Sequence, residues 1–585
     1  MARAKQLVLD SQNIVADMLE GMVFLHPHLV LMPTERVLLH RDYENIREHQ
    51  VTLISGGGSG HEPTHAGYIG EGMLTGVVCG DVFASPSTQQ ILAAIRLAAG
   101  PHGCLVIVKN YTGDRLNFGL AVEQAKAEGF KCDMVVVGED VAVLNANAGR
   151  RGLSGTVIIH KLAGAAAHMG KDLVTLVKMV NTLIGERKLG TMGVAIKPCT
   201  LPGQKDASRE WEDNYMEVGL GIHGEPGVNK CEQQDVPSLC RMLIDKITEH
   251  SAVGLGLQSG SKAVLMVNNL GTLTSMELYV VAKYAVKALQ AKKIEIERAI
   301  VGPFMTALDM TGFSISLWNS NGDAEMLALF DAPTSAPAWT NSLFKKSISE
   351  VTDSLISVKA TETQKKFNRP TVLSSEGSRL EKCIAAVCTT LIENESQLTH
   401  WDTKVGDGDC GTTFKNAAET IRAELKTFYP LNDAAQTLRA LANSVSRSAG
   451  GTSGVLYVIF LTAGSVYLES CKKIDITAWS GAFRAGVFAV QKYGGAKEGS
   501  RTMIDALVPS LRALDCSTLQ TGAELAKIAA LAAQEGADAT AQISTKQAFG
   551  RAGYVGEEFG VGIPDPGAKA VAFWIQAIAD SLNSS

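Results

Sequence analysis

The sequence has little proline, no paired cysteines, no excess of basic charge and no long apolar run, and each lack closes off a class of protein. Proline accounts for 17 of 585 residues, about 3% against a usual ~5%, and glycine for 57, about 10% against a usual ~7%. Glycine in excess, without proline and without a G-X-Y period, excludes collagen and linker-like chains. It points to tight turns and loops that press against a ligand. The 11 cysteines form no C-x-x-C pair; an odd, scattered set excludes a disulfide scaffold and reads as reduced, mostly buried cytosolic thiols. With 54 basic and 60 acidic residues the net charge is −6, which gives no electrostatic footprint for nucleic acid. The most apolar stretch, 454–468, is shorter than the ~18 residues a membrane span needs. The first 21 residues read as an amphipathic helix carrying Asp10, Asp17 and Glu20, not as a signal peptide. No internal repeat is found. The expectation is a cytoplasmic, multidomain protein that contacts neither nucleic acid nor membrane.

Hydrophobic content of 46% against 19% charged residues is enough for large cores. In the first half, short runs rich in Val, Ile and Leu (51–55, 104–109, 133–137, 263–267, 314–318) mostly stop at Gly or Asn, with helical spacing between them at 87–99 and 120–128. Strand, glycine turn, helix, repeated, predicts an α/β domain with ligand loops at the carboxyl ends of strands. From about Arg379 the spacing is helical almost throughout, at 384–392, 413–425, 438–445, 455–468, 482–491, 523–534 and 568–582, which predicts an all-α unit. Between them a Ser-, Thr-, Lys- and Pro-rich stretch of weak periodicity reads as a linker. The expected division is therefore an α/β domain over 1–335, a linker over 336–376 and an all-helical domain over 377–585.

Ser55-Gly56-Gly57-Gly58-Ser59-Gly60-His61-Glu62-Pro63 follows a strand, and so many glycines let backbone N–H groups crowd an anion or hydroxyl. Residues 61–65 also satisfy the H-E-x-x-H pattern, but that zinc motif needs both histidines on one helix face. Pro63 tolerates only a helix start, so zinc is rejected. Lys109, Asn110 and Asp114 stand just past an apolar strand, where a lysine can polarise an oxygen and an aspartate can accept a proton. In Gly219-Leu220-Gly221-Ile222-His223-Gly224-Glu225, the glycines leave His223 sterically open, as a nucleophile, ligand-binder or acid/base. His26, His28, His102 and His250 read as structural. Residues 302–306 and 309–312 are expected to line the same cleft.

In the second half, Asp402, Asp407 and Asp409 crowd three acids into eight residues before a helix. Such acids repel unless a cation offsets them, and oxygen-only donors favour Mg²⁺ or Ca²⁺. An EF-hand is excluded, for lack of its ligand ladder and terminal Glu. Thr412 and Thr413 sit where hydroxyls and free helix N–H groups can grip a phosphate. Gly450-Gly451-Thr452-Ser453-Gly454 and Asp565-Pro566-Gly567 are similar helix entrances, and Met503 and Arg551 stand in polar loops. A P-loop is absent, because 164–171 has five residues between its glycines and Asp172 after the lysine. The protein-kinase H-R-D and D-F-G signatures are absent as well.

Taken together, the runs GGGSGHEP, VKNYTGD, GLGIHGEPG, VNNLG, GDGDCGTT, GGTSG and DPGA closely resemble those of the ATP-dependent dihydroxyacetone kinases, or triokinases, over nearly the whole chain. The resemblance implies an N-terminal α/β domain (DhaK-like) that binds the triose and a C-terminal helical barrel (DhaL-like) that binds ATP and Mg²⁺. It implies that His223 forms a covalent hemiaminal with the substrate carbonyl, and that Gly58, Ser59, Gly60, His61, Lys109 and Asp114 contact substrate. His61 and Asp114 fall in the acid/base positions. Mg²⁺ falls on Asp402, Asp407 and Asp409. Nucleotide contacts fall on Cys410, Gly411, Thr412, Thr413, Thr452, Ser453, Gly494, Met503, Arg551, Asp565, Pro566 and Gly567. The implied activity is phosphorylation of dihydroxyacetone and glyceraldehyde by a homodimer in glycerol metabolism. An FAD-AMP lyase (FMN cyclase) supported by Mn²⁺ or Co²⁺ is the alternative within the family, and a non-catalytic triose sensor is the alternative outside enzymes.

Overall fold

A computed structural model describes residues 7–8, 12–143, 149–204, 211–212, 214–340, 367–518, 521–549, 553, 560 and 562–584. The chain divides into two compact units, Met1–Ser357 and Val358–Ser585.

The first unit is built on two six-stranded sheets. In chain order the strands are β1 Leu29–Met32, β2 Val37–His40, β3 Thr52–Ser59, β4 Gly76–Val82, β5 Cys104–Lys109, β6 Cys132–Val137, β7 Leu189–Lys197, β8 Tyr215–Val218, β9 Asn229–Glu232, β10 Lys262–Asn269, β11 Glu295–Gly302 and β12 Thr311–Asn319. One sheet runs β1-β2-β4-β3-β5-β6 and the other β11-β10-β12-β7-β8-β9. In the first, β3 pairs in parallel with β4 and β5, and β5 with β6. β3 and β5 are buried along their whole length, which is why 51–55 and 104–109 read as continuous apolar runs, while the edge strand β6 is half-buried at Asp133, Met134 and Val136. Alternation assigns their two faces to different cores. Leu53, Leu105 and Ile107 join a central cluster shared with Val264, Met266 and Trp318 of the second sheet. Ile54, Val106 and Val108 instead pack on helices Thr88–Ala98 and Thr112–Ala127. The outer face of the second sheet packs on helices Val236–Thr248 and Ser275–Ala291.

Helix Thr156–His168 lies in the central cluster and is buried along almost its whole length. Its Gly164 is a packing residue, since a Cβ there would stand 2.4 Å from Met73 Cα. The core continues into the stretch expected as linker: Ala336 and Trp339 are buried in it, and Trp339 meets Phe304 and Phe330 at 6.3 and 5.4 Å between ring centroids.

Among its described residues the second unit contains no strand. Its α-helices are Ser375–Glu393, Glu395–Val405, Cys410–Glu424, Ala434–Ser448, Gly451–Ser470, Ile476–Gly494, Ile504–Asp515, Gly522–Ala539 and Pro566–Asn583. Small residues bring them close: Ala529, Ala530, Ala533 and Ala537 share one core with Ala568, Ala572 and Ala579. Phe367, from the expected linker, is buried in the neighbouring core.

Two expectations need correction here. The apolar run 454–468 belongs to a 20-residue helix, Gly451–Ser470, which is long and apolar enough to cross a membrane by length and composition. Within the bundle it is tied to its neighbours: Ser465 Oγ donates to Ala435 O at 2.8 Å, and Trp574 Nε1 donates to Tyr457 Oη at 3.0 Å. The three aspartates do not simply precede a helix, because Asp402 sits inside Glu395–Val405, a helix too polar to show periodicity.

Candidate functional site

In the first unit, β3 ends in its glycines because neighbours approach too closely for side chains. A Cβ on Gly56 would stand 2.3 Å from Val78 O, and one on Gly58 would stand 2.6 Å from Ala84 N. Gly57, at φ 150°, is bordered by functional groups: a methyl there would touch Asp114 Oδ2 at 3.4 Å and Lys109 Cε at 3.6 Å. Parallel pairing of β3 with β5 thus sets the glycine run beside Lys109, the last residue of β5. Asp114 arrives from the first turn of the helix that follows.

Residues 61–65 form turns, not a helix, and their two histidines have different partners. His61 Nδ1 lies 2.8 Å from Thr306 O. A carbonyl only accepts, so Nδ1 carries the proton and Nε2, buried and unpartnered, is a bare acceptor. His65 turns inward to His160 Nε2 at 2.9 Å and Ser55 Oγ at 3.3 Å. Ser59 Oγ donates to Gly80 O at 2.8 Å, and Gly60 N donates to the Glu62 carboxylate at 3.0 Å.

His223 is caged by three rings in edge contact: His61 at 4.8 Å, Phe83 at 5.3 Å and Tyr111 at 4.5 Å. Burial, then the positive charges of Lys109 and Arg151, push its pKa down to about 3, so the imidazole is neutral at physiological pH. Lys109 is fully buried with Nζ unpartnered. Burial lowers its pKa, while Asp114, Glu139, Glu62 and Glu225 oppose that shift. Asp114 accepts a hydrogen bond from Ser85 Oγ. Its pKa is raised by burial, against the pull of Lys109 and Ser85. The unit therefore brings together a glycine edge, a neutral histidine, a bare histidine nitrogen, and a buried lysine and aspartate that act on each other through their charges. Of the segments expected to line the cleft, 302–306 does so through Thr306. Phe83, Tyr111, Arg151 and Asp140 had no assigned role in the sequence. Of these only Tyr111, standing inside the run VKNYTGD, gave any signal.

In the second unit, ligand oxygens of Asp402, Asp407 and Asp409 lie within 4.8 Å of one another. Asp402 is buried, and its Oδ2 accepts Asp409 N at 2.9 Å and Cys410 N at 3.0 Å, which ties the acidic loop to the start of Cys410–Glu424. Gly406 is required beside it, because a Cβ would stand 2.2 Å from Asp402 Oδ1. Three converging carboxylates suit a hard divalent cation such as Mg²⁺. Asp565, at the N-cap of Pro566–Asn583, accepts Ala568 N at 2.7 Å. Its pKa is raised to about 7 by burial, with Arg501 opposing and Asp505 and Asp402 adding. Burial, then the charges of Asp402, Asp565 and Asp409, raises the Cys410 thiol pKa as well.

Gly411 packs on the preceding helix, where a Cβ would stand 2.1 Å from Glu395 O, and Thr412 Oγ1 donates to Glu395 Oε1 at 3.3 Å. Thr413 N donates to Asp409 O at 2.9 Å. Met503 adjoins Gly567, whose Cβ would lie 3.9 Å from it, and Gly494 adjoins Leu456. Thr452 and Ser453 open the helix whose Tyr457 meets Phe414 at 5.4 Å. Arg551 lies outside the described residues. Arg501, Asp505 and Tyr457 border this site and were missed; the run from Arg501 to Asp505 flanks Met503, the only signal of it.

One unit carries a neutral histidine caged by rings and the other a metal-competent acidic loop among helix N-termini, as a two-part small-molecule phosphotransferase would. Residues 20–338 match the Dak1 domain and residues 404–580 the DAK2 domain. The chain belongs to the dihydroxyacetone kinase family. It is 42% identical to the Homo sapiens triokinase/FMN cyclase over 99% of this chain and 100% of that one. It is 36% identical to the Citrobacter freundii dihydroxyacetone kinase over 97% and 98%. A crystal structure of the C. freundii kinase in complex with AMP-PNP and Mg²⁺ matches with a TM-score of 0.64 at 33% identity, over 99% of this chain and 100% of that one.

Proposed function

We propose that this chain transfers the terminal phosphoryl group of ATP to a hydroxyl of dihydroxyacetone, and of glyceraldehyde, with the triose held covalently on His223. The observation that carries this reading is the neutral imidazole of His223, caged by rings beside the bare Nε2 of His61. A ring nitrogen of His223 adds to the carbonyl carbon, the C=O π pair moves onto oxygen, and the ring's N–H proton is passed on to that oxygen. The product is a neutral hemiaminal. Tethering converts weak affinity for a small molecule into orientation. Lys109 stabilises the developing oxyanion. Gly58, Ser59 and Gly60 form a wall against the triose, with the Ser59 hydroxyl engaged by Gly80 O and the Gly60 N–H by the Glu62 carboxylate. Asp114 and His61 are the two acceptors for the proton of the hydroxyl that is phosphorylated.

Asp402, Asp407 and Asp409 would hold Mg²⁺, which when bound neutralises phosphate charge during transfer. The nucleotide would lie against Cys410, Gly411, Thr412, Thr413, Thr452, Ser453, Gly494, Met503, Arg551, Asp565, Pro566 and Gly567. The expected bounds 1–335 and 377–585 extend to 1–340 and 367–585, since Ala336 and Trp339 are buried in the first core and Phe367 in the second, and the working form is a cytoplasmic homodimer. The test is ATP consumption with dihydroxyacetone, glyceraldehyde and glycerol in Mg²⁺ and then Mn²⁺. Triose-dependent consumption with little on glycerol, which has no carbonyl to tether, is expected; none with either triose would refute the assignment. A second reading follows from the FMN cyclase activity for which the human relative is named: an FAD-AMP lyase using only the second unit's acidic site, with Mn²⁺ or Co²⁺. Cyclic FMN formation from FAD in Mn²⁺ checks it. A triose sensor would not need the complete acidic cluster together with buried Lys109 and Asp114.

A further inference from the structure

The ring of His223 has no hydrogen bond among the described residues; ring contacts alone surround it. Its direction is therefore set by those rings and by the backbone of 219–225, and one side chain grips that backbone at both ends. Arg151 Nη2 donates to Gly219 O at 2.8 Å, where the loop begins, and Nη1 to Glu225 Oε1 at 3.3 Å, where it ends. Nε donates to Asp140 Oδ2 at 2.7 Å. Asp140 is itself fixed, with a side chain only 1% exposed and Oδ1 accepting Ala142 N at 2.8 Å. The other oxygen of Glu225 accepts the backbone N–H of His223 at 2.8 Å. The carboxylate thus folds back over Gly221, where a Cβ would stand 1.6 Å from Glu225 Oε1 and 2.9 Å from Arg151 Nη1. A path of short polar contacts runs from Asp140 through Arg151 and Glu225 to the N–H of His223.

We propose that Arg151 is a positioning residue for the triose tether, holding both ends of the 219–225 loop so that the His223 ring stays aimed at the substrate carbonyl. This rests on the reading of His223 as the tether. The planar fork of arginine is needed because three acceptors lie around it in different directions; a lysine ammonium on a flexible stem cannot hold all three. The guanidinium charge also disfavours protonation of the ring it positions, so the group that orients the nucleophile helps to keep it neutral.

The experiment is ¹³C NMR of full-length protein with [2-¹³C]dihydroxyacetone, which separates the trigonal ketone carbon from the tetrahedral adduct carbon. It is run on wild type, R151M, R151K, E225Q and H223A, with steady-state kinetics, thermal melting and AMP-PNP binding in parallel. Wild type should show the adduct and H223A none. R151M and R151K should lower the adduct fraction and raise KM by about tenfold to a hundredfold, the scale of a misplaced reacting group. AMP-PNP affinity should be unchanged and melting should remain cooperative. E225Q keeps an oxygen for the His223 N–H and should retain most of the adduct. A wild-type adduct that persists undiminished in R151M overturns the inference and leaves the tether standing. Loss of both the adduct and cooperative melting in R151M and R151K makes Arg151 a folding residue and also overturns it. No adduct even in wild type refutes the tether itself, and the inference with it.

Discussion

His61 Nδ1–H donates to the carbonyl of Thr306, 245 residues away in sequence, at 2.8 Å. That bond fixes the tautomer and leaves Nε2 as a lone pair in the site. His61→Asn can reproduce the Nδ1 donor through its amide nitrogen but has nothing in place of Nε2. The expected result is a folded protein with near-normal melting and a kcat reduced by about 10²–10⁴-fold, the usual range for a lost general base. His61→Gln, whose amide reaches towards the Nε2 position, should lose the Thr306 bond and melt lower. A kcat within a few fold of wild type in His61→Asn would leave Asp114 as the proton acceptor.

Asp402 and Asp407 belong to one acidic cluster but should fail differently. Asp407 is exposed, so Asp407→Ala should leave melting intact while abolishing Mg²⁺-dependent nucleotide binding and any lyase activity. Asp402 is buried and accepts two backbone N–H groups; Asp402→Ala strands both donors and should also cost about 1–3 kcal/mol of stability. Calorimetric titration of AMP-PNP with and without Mg²⁺, beside denaturant melts, separates the two. Normal turnover by folded Asp407→Ala would remove the metal from this loop.

What the sequence made legible follows from which physical signals are local. The central strands of the first sheet are buried on both faces, so they appear as unbroken apolar runs. Strand β7 is broken by Gly190 and Gly193, β11 alternates with Glu295, Glu297 and Arg298, and β9 is an exposed edge strand; none carries a continuous run. Helix Ile504–Asp515 escaped because Pro509 lies inside it. The glycine-rich loops announced themselves because close approach demands glycine where it occurs. Arg151 did not, because its partners Gly219 and Glu225 lie 68 and 74 residues away, and no local pattern records a contact made by folding.

The boundary between the units can be tested through Trp339. Ala336 and Trp339 are buried in the first core and Phe367 in the second unit's, so fragments 1–340 and 367–585 should each be soluble and melt cooperatively. A fragment ending at 335 strips an aromatic anchor from the core and should be less stable by about 3 kcal/mol, as large-to-small changes at buried aromatics are. Equal melting of 1–335 and 1–340 would show that Trp339 contributes nothing to the first unit.

Burial of neutral histidines sets the acid limit of this protein, and its sign can be worked out. His223 and His160 have folded-state pKa values pushed down to about 3, chiefly by burial, against about 6.5 for an exposed histidine in the unfolded chain. At a pH between these values the unfolded state binds protons that the native state refuses, so stability falls with falling pH. The histidine contribution is fully present above about pH 6.5 and is lost progressively down to about pH 3. Adduct formation needs only the neutral ring, so it should stay flat from pH 8 to pH 5 and not titrate near 6.5. His160→Gln, which removes one such group away from the His223 cage, isolates the effect. Its stability relative to wild type should improve as pH drops from 7 to 4, measured by urea melts at each pH. A wild-type adduct fraction that halves near pH 6.5 would show that His223 keeps an ordinary pKa. Parallel stability curves for wild type and His160→Gln would show the same for His160.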